Sequence, residues 1–197
     1  MRRPPGPHNL PSRTGAFAGP RLGAPRLDGG GAFTPADRRR MQLESLLSSR
    51  LTVNQVGAAD PLGAFGQVAQ TLAAAGVIPA TAVNGVRDAY ATREKQGSTS
   101  LGFGLAVPHV FWDGVKGVHL CVARSDAGVE LGAVDGRPVR IMFCLIASEP
   151  FRDGYLAALG AIVRVARDKD YKRLIERAGA AAQVIDCLLQ GDRALGR

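Results

Sequence analysis

The chain has 197 residues, and 46% of them are hydrophobic, which is enough to build one core of ordinary domain size. The formal net charge is +8 at pH 7, but eight arginines and two aspartates place +6 of it in residues 1–40. The rest of the chain is therefore close to neutral, and its composition does not require a nucleic-acid-binding surface.

Cysteine content and hydropathy argue against a disulfide-rich, zinc-binding, secreted or membrane-spanning protein. Cys121, Cys144 and Cys187 are an odd number of cysteines at wide spacing, which argues against a disulfide framework and against a closed zinc site. No stretch of 18 apolar residues predicts a membrane span, and the first residues lack the apolar core of a signal peptide. We expect a cytoplasmic protein that needs no metal or other cofactor.

Residues 1–40 are rich in proline, glycine and arginine and show scarcely any apolar periodicity. Such a segment buries too little apolar surface to offset the entropy of ordering it, so we predict a disordered N-terminal tail. Its simplest interpretation is a solvated leader. The alternative is that its arginines bind nucleic acid or a partner protein.

The folded domain is predicted to span residues 41–191 and to begin with helices. Four leucines within residues 43–51 form a short helical stripe. A longer helix is predicted from the Asp-Pro pair at 60–61, which is typical of a helix start, to a glycine at position 76. A further helix is predicted after the proline at position 79, ending near residues 93–94.

The second half of the chain is predicted to contain three short apolar strands followed by helices. The strands cover residues 105–107, 115–124 and 139–147, and the helices cover residues 153–167 and 174–189, the latter as one helix or two. This order of elements indicates an α/β fold in which helices cover a small mixed sheet.

Residues 102–109, GFGLAVPH, end on a histidine directly behind a proline. The two glycines do not form a dinucleotide-binding fingerprint, because position 107 is valine and no helix is predicted to open there. A metal site needs several converging ligands, whereas only His119 and Cys121 lie close in sequence. His109 is therefore either a structural histidine or a nucleophile that accepts a phosphoryl group.

Several groups that stabilise a bound phosphoryl group precede His109 in the sequence. Arg93 has a guanidinium that can bind two phosphoryl oxygens at once. Ser98 and Thr99 carry hydroxyls, and the glycines of the run allow close approach to backbone N–H groups. Spacing alone leaves the structural and the phosphoacceptor interpretations equally open.

The same residues carry a resemblance to a known family. The Arg-Glu pair at 93–94, Gly-Ser-Thr at 97–99 and the G-x-G-x-A-x-P-H run at 102–109 resemble the EIIA domain, type 2, of the bacterial phosphotransferase system, in its fructose/mannitol and nitrogen-regulatory forms. The resemblance implies a three-layer α/β/α sandwich. It also implies that His109 accepts a phosphoryl group from an HPr-like phosphocarrier protein and that Arg93 stabilises it, with Ser98 and Thr99 lining the pocket.

The resemblance further implies that the phosphoryl group passes to an EIIB domain of a sugar transporter, or that phosphorylation regulates target proteins. We expect a mainly regulatory phosphotransferase. Two departures favour an alternative, a binding module of the same fold that has lost phosphotransfer. Bulky residues at 110–112 follow the histidine, and Tyr155 stands where many members of the family have a second histidine. A tyrosine can donate a hydrogen bond but carries no positive charge near neutral pH.

Overall fold

Six α-helices, two short 3-10 helices (Ala80–Ala82 and Glu149–Phe151) and one mixed sheet of six strands make up the described part of the chain. The computed structural model describes residues 42–196, so the predicted tail lies outside the described residues. The helices are α1 (Leu43–Leu46), α2 (Pro61–Ala74), α3 (Val83–Lys95), α4 (Arg152–Arg167), α5 (Lys169–Arg177) and α6 (Ala181–Leu195). The strands are β1 (Ser49–Val53), β2 (Ser100–Gly102), β3 (Leu105–Ala106), β4 (His109–Phe111), β5 (His119–Val129) and β6 (Val139–Ala147).

The sheet has the strand order β1-β5-β6-β3-β2, and β4 also pairs with β6. Strands β3 and β4 run parallel to β6 along the same edge, with Leu105 beside Ile141 and His109 beside Leu145. Pro108 lies between the two strands and has no N–H to donate, but its carbonyl accepts the N–H of Leu145 at 2.9 Å. Strands β3 and β4 are thus two parts of one strand interrupted at Pro108, and His109 is the first residue of the second part.

Each face of the sheet packs against its own apolar core, and alternating residues of β5 contribute to the two cores in turn. Leu120 and Val122 belong to the core beneath α1, α4, α5 and α6, whereas Cys121 and Ala123 belong to the core beneath α2 and α3. Side chains of neighbouring residues in a strand point to opposite faces, so helices cover the sheet on both sides. This arrangement confirms the predicted α/β/α sandwich.

The elements with strong periodicity occur where the sequence predicts them. Asp60 caps α2 by accepting the N–H of Gly63 at 2.9 Å, and Pro61 occupies the first helical position. Strand β6 and helix α4 match their predicted ranges to within one residue. The last helical region contains two helices, and α6 continues to Leu195, beyond the predicted domain boundary at 191.

The prediction of a helical stripe over residues 43–51 is wrong in its second half. Only Leu43–Leu46 is helical, and Ser49–Val53 forms β1, which pairs in parallel with β5. Pairing with β5 favours an extended conformation here, and this outweighs the helical tendency that the spacing of the leucines indicates. The β-branched Thr52 and Val53 also favour a strand. Strand β5 also begins at His119, four residues later than the predicted start at 115.

Candidate functional site

His109 lies at the start of β4, directly after the break at Pro108. Its Nδ1 is 2.7 Å from the carbonyl oxygen of Val107, and its Nε2 is 3.2 Å from Nη2 of Arg93. A carbonyl only accepts hydrogen bonds and a guanidinium only donates them, so the proton belongs on Nδ1 and the lone pair on Nε2. The structure therefore holds a neutral imidazole with Nε2 as the nucleophilic atom.

The surroundings of His109 favour this neutral form. Burial lowers the pKa of His109 below its usual value, and the positive charge of Arg93 lowers it further. The hydrogen bond to Val107 and the negative charge of Glu94 act in the opposite direction without cancelling the decrease. The ring therefore keeps its lone pair at neutral pH, as a nucleophile requires.

Arg93 is held in place by the end of its own helix. It lies in the last turn of α3, and its Nη1 donates to the carbonyl of Gly97 at 3.0 Å while Nη2 contacts His109. A guanidinium has five N–H donors in a rigid plane, so donors remain for the oxygens of a phosphoryl group on Nε2. The structure brings Arg93 and His109 together.

Ser98 and Thr99 do not line the groove at His109, in contrast to what the family resemblance implies. The hydroxyl of Ser98 donates to the carbonyl of Leu131 at 2.8 Å. Thr99 is buried, and its N–H and hydroxyl donate to the carboxylate of Glu94 at 2.7 and 2.6 Å. Both hydroxyls donate to acceptors within the protein, and for the buried Thr99 such a partner is required.

Glu94 is a residue that sequence reasoning did not assign to the site. Its carboxylate holds Thr99, the carbonyl of Thr99 accepts the N–H of Val107 at 3.0 Å, and the carbonyl of Val107 accepts Nδ1 of His109. A short chain of hydrogen bonds thus runs from the end of α3 to the imidazole. The adjacent Arg-Glu pair was the only signal for it in the sequence, since the carboxylate had no visible partner.

Tyr155 lies in the first turn of α4, close to His109 but not bonded to it. Its ring centroid is 6.2 Å from that of His109 and 4.3 Å from that of Phe111, and no hydrogen bond joins Tyr155 to His109. Burial raises the pKa of Tyr155, against the influence of Arg93 and Arg152, so the hydroxyl stays neutral. Tyr155 shapes the site and adds no positive charge to it.

A groove of about 550 Å³ opens beside His109. Its lining combines the imidazole and the guanidinium with apolar side chains, namely Arg93, His109, Phe111, Tyr155, Leu156 and Leu159. Leu156 is 39% exposed at the rim, although most leucines of the described residues are buried. An open, largely apolar rim around one reactive nitrogen fits a protein surface better than a small polar ligand.

Of the bulky residues at 110–112, Val110 and Phe111 line the groove and Trp112 does not. Val110 is buried in the core beneath α2 and α3. The Trp112 ring packs over Gly85 of α3, where a Cβ would lie 2.5 Å from Trp112 Cη2. Phe111 packs between the ring of Tyr155 and the guanidinium of Arg152, which is 4.7 Å from its centroid. Phe111 is thus the one residue of the three that both lines the groove and is partly exposed.

His119 is fully engaged in structural hydrogen bonds. Its Nδ1 is 2.7 Å from the hydroxyl of Ser49 and its Nε2 is 2.9 Å from the carbonyl of Lys116. Across residues 42–196 there is no cluster of three or more metal-ligating side chains. Within the same range, no helix is long and apolar enough to cross a membrane.

Comparison with known proteins gives the family context of this site. A family model described as "Phosphoenolpyruvate-dependent sugar phosphotransferase system, EIIA 2" matches residues 45–191. A nitrogen regulatory protein of Bradyrhizobium diazoefficiens is 36% identical over 97 residues, which are 49% of this chain and 63% of that relative. The chain thus matches less than two thirds of the length of that relative.

Solved structures share the fold. Nitrogen regulatory protein IIA-Ntr from Neisseria meningitidis superposes with a TM-score of 0.60 at 25% sequence identity, covering 71% of this chain and 92% of that protein. The complex of enzyme IIA-Mtl with phosphorylated enzyme IIB-Mtl from Escherichia coli gives a TM-score of 0.55 at 18% identity, covering 71% and 94%. The second likeness shows the fold alone.

Proposed function

The chain belongs to the type-2 EIIA family of the phosphoenolpyruvate-dependent sugar phosphotransferase system, and we propose that it is a phosphohistidine carrier of that system. The proposed acceptor is Nε2 of His109, and the proposed donor is an HPr-like phosphocarrier protein. The observation that carries the proposal is the pair of contacts on the imidazole. The carbonyl of Val107 keeps the proton on Nδ1, and the lone pair of Nε2 faces the guanidinium of Arg93.

The proposed step is a direct transfer between two histidines. The lone pair of His109 Nε2 forms a bond to phosphorus while the N–P bond of the donor breaks. The donor ring, protonated on its other nitrogen, leaves as neutral imidazole with that electron pair. His109 keeps its Nδ1 proton, and the carbonyl of Val107 stabilises the positive charge that develops on the ring. Arg93 then moves its hydrogen bond from Nε2 to the oxygens of the transferred group.

The proposal is tested with the intact chain and a phosphorylated HPr-type donor. We expect one acid-labile phosphate per chain, assigned to Nε2 by heteronuclear NMR of the histidine rings. His109→Ala should abolish incorporation, whereas His8→Ala should leave it unchanged. Failure of the intact chain to take up phosphate from a cognate donor, or uptake that survives His109→Ala, would show the proposal to be wrong.

We further propose that the output is mainly regulatory and that the protein acts in the cytoplasm. The name of the Bradyrhizobium relative, a nitrogen regulatory protein, supports the first point. The partners would be regulatory target proteins that distinguish the phosphorylated from the free form, with transfer to an EIIB domain as the sugar-transport alternative. Phosphate transfer to a purified EIIB domain would favour transport over regulation.

A second candidate function is a binding module of this fold that no longer transfers phosphate. Neutral Tyr155 and the exposed Leu156 favour it, because Tyr155 adds no charge at His109 and Leu156 presents an apolar side chain to solvent. Leu156→Asp should then abolish capture of the partner while His109→Ala does not. Trp112→Ala is not a clean test, since the partly buried ring packs on Gly85 against the core beneath α2 and α3. Loss of capture in His109→Ala would contradict this candidate.

A further inference from the structure

A second cavity, of about 420 Å³, lies away from the groove at His109 and shares no lining residue with it. It opens next to the turn between β2 and β3, which precedes His109 in the chain. Its lining includes the aromatic ring of Phe103, the arginines Arg137 and Arg140, and the carboxylate of Glu176. Gly104 and Pro138 also line it. A cavity of this size accommodates a small organic ligand.

Phe103 is held in an unusual conformation at the rim of this cavity. Its φ is +58°, a left-handed value that bulky residues rarely adopt, and the residue is 54% exposed. The carboxylate of Asp135 accepts the N–H of Phe103 at 2.7 Å and the N–H of Arg137 at 3.3 Å, which fixes the turn. The fold therefore keeps a large apolar ring in solvent at the mouth of the cavity although burial would be more favourable.

Three cations lie at this ring and its cavity, against two carboxylates, those of Asp135 and Glu176. Lys172 Nζ lies 3.5 Å from the Phe103 ring centroid, Arg137 Cζ lies 6.0 Å from it, and Arg140 lines the same cavity. In the part of the chain that the structure describes, none of these three cations forms a salt bridge. Cations clustered around a concave surface favour an anionic ligand.

We propose that this cavity binds a nucleotide. The planar base would stack on Phe103, and the phosphates would be bound by Arg137, Arg140 and the flexible ammonium of Lys172. Glu176 would accept a hydrogen bond from a sugar hydroxyl or an exocyclic amine. A concave site with a single aromatic ring fits one base, whereas a nucleic-acid strand stacks successive bases on several rings along a groove.

The site is independent of the proposed phosphoacceptor, so each can fail without the other. Calorimetric titration of the full chain would use ATP, GTP and UTP, with adenosine and inorganic tripolyphosphate as partial ligands. We expect at least one nucleotide to bind with a dissociation constant below about 1 mM. Each partial ligand should bind at least about tenfold more weakly, since it keeps only the stacking or only the charge. His109→Ala should bind the nucleotide as the wild type does.

Phe103→Gly is a sharp test because glycine adopts this backbone conformation more readily than phenylalanine does. The variant should fold at least as well as the wild type and bind the nucleotide about tenfold more weakly. Arg140→Gln should weaken binding by a similar factor, whereas Lys116→Gln, which removes an exposed charge elsewhere, should not. The proposal is wrong if no nucleotide binds, if Phe103→Gly binds as tightly as the wild type, or if only a single-stranded oligonucleotide or an acidic peptide binds.

Discussion

At the residue scale, two neighbouring charges act on His109 in opposite directions. Arg93 lowers the pKa of the imidazole, and Glu94 raises it. Arg93 contacts Nε2 directly, whereas Glu94 also acts through Thr99 and the carbonyl of Val107. The Arg-Glu pair at the end of α3 therefore influences both the charge and the position of one nitrogen.

Charge-neutral substitutions of this pair should shift the pKa of His109 in opposite directions. Arg93→Gln removes a positive charge, so the pKa should rise, and Glu94→Gln removes a negative charge, so it should fall. NMR titration of the His109 ring protons between pH 5 and 8 measures both shifts, with Lys116→Gln as the control. Shifts of the same sign in the two variants would contradict this account of the site.

The two variants should also differ in phosphate uptake from a phosphorylated donor. Loss of the Arg93 guanidinium removes donors to the phosphoryl oxygens, and we expect the rate to fall about 100-fold. Glu94→Gln leaves those donors in place but loosens the hydrogen-bonded chain to Val107, so a decrease of about tenfold is expected. Single-turnover transfer measures the rates. A Glu94→Gln defect as large as that of Arg93→Gln would contradict the indirect role of Glu94.

The sequence indicated His109 and Arg93 because their chemistry is visible in a short motif. It could not indicate where the hydroxyls of Ser98 and Thr99 point, because that depends on which buried acceptors the fold places nearby. The carboxylate of Glu94 accepts a hydrogen bond from the hydroxyl of Thr99. The carbonyl of Leu131, 33 residues away in sequence, accepts one from the hydroxyl of Ser98. The sequence likewise could not distinguish the role of Phe111 from those of Val110 and Trp112. The packing of Trp112 on Gly85 is visible only in the structure.

At the scale of elements, long elements were predicted best, although the two-residue strand β3 also lies within its predicted range. Helices α2, α3 and α4 and strand β6 span at least nine residues each, and the sequence predicts all four. Strands β2 and β4 have three residues each, too few for an alternating pattern to stand out. Strand β1 was obscured by leucines at helical spacing, and His119 joins it to β5 through Ser49.

This link between β1 and β5 should make the fold sensitive to acid. Burial lowers the pKa of His119, so the unfolded chain binds more protons than the folded chain between that lowered pKa and the ordinary value near 6.5. The free energy of unfolding should therefore fall as the pH decreases through this window. Urea unfolding at pH 7.5 and 5.5 measures the effect.

His119→Gln is the matched variant for this prediction. Glutamine can both donate and accept a hydrogen bond, but it does not titrate. The variant should lose about 1 kcal/mol of stability at pH 7.5, because the geometry of the bonds to Ser49 and Lys116 is imperfect, and it should lose less on acidification. His109→Gln controls for His109, the other imidazole whose pKa is lowered by burial. An unchanged pH dependence in His119→Gln would contradict the assignment.

At the scale of the whole molecule, the order of elements was enough to predict two helical layers around one sheet. The contacts that join the ends of the described chain were not predictable, because their partners are remote in sequence. Asp192 of α6 is buried and accepts the N–H of Leu43, 149 residues away, at 2.6 Å. It also pairs with Arg164 of α4, 28 residues away, at 2.6 Å. One carboxylate thus joins α1, α4 and α6.

Asp192→Asn should therefore destabilise the domain although it changes almost no volume. The amide keeps one acceptor for the N–H of Leu43 but loses the charge that pairs with Arg164, whose Nε already has no partner among the described residues. Arg164 remains partly solvated, so we expect a loss of about 2 kcal/mol in the free energy of unfolding. Asp186→Asn, on an exposed position of the same helix, should change it by less than about 0.5 kcal/mol. Urea unfolding of the three proteins at pH 7.5 makes the comparison, and equal stabilities for the two variants would show that Asp192 does not hold the helical layer together.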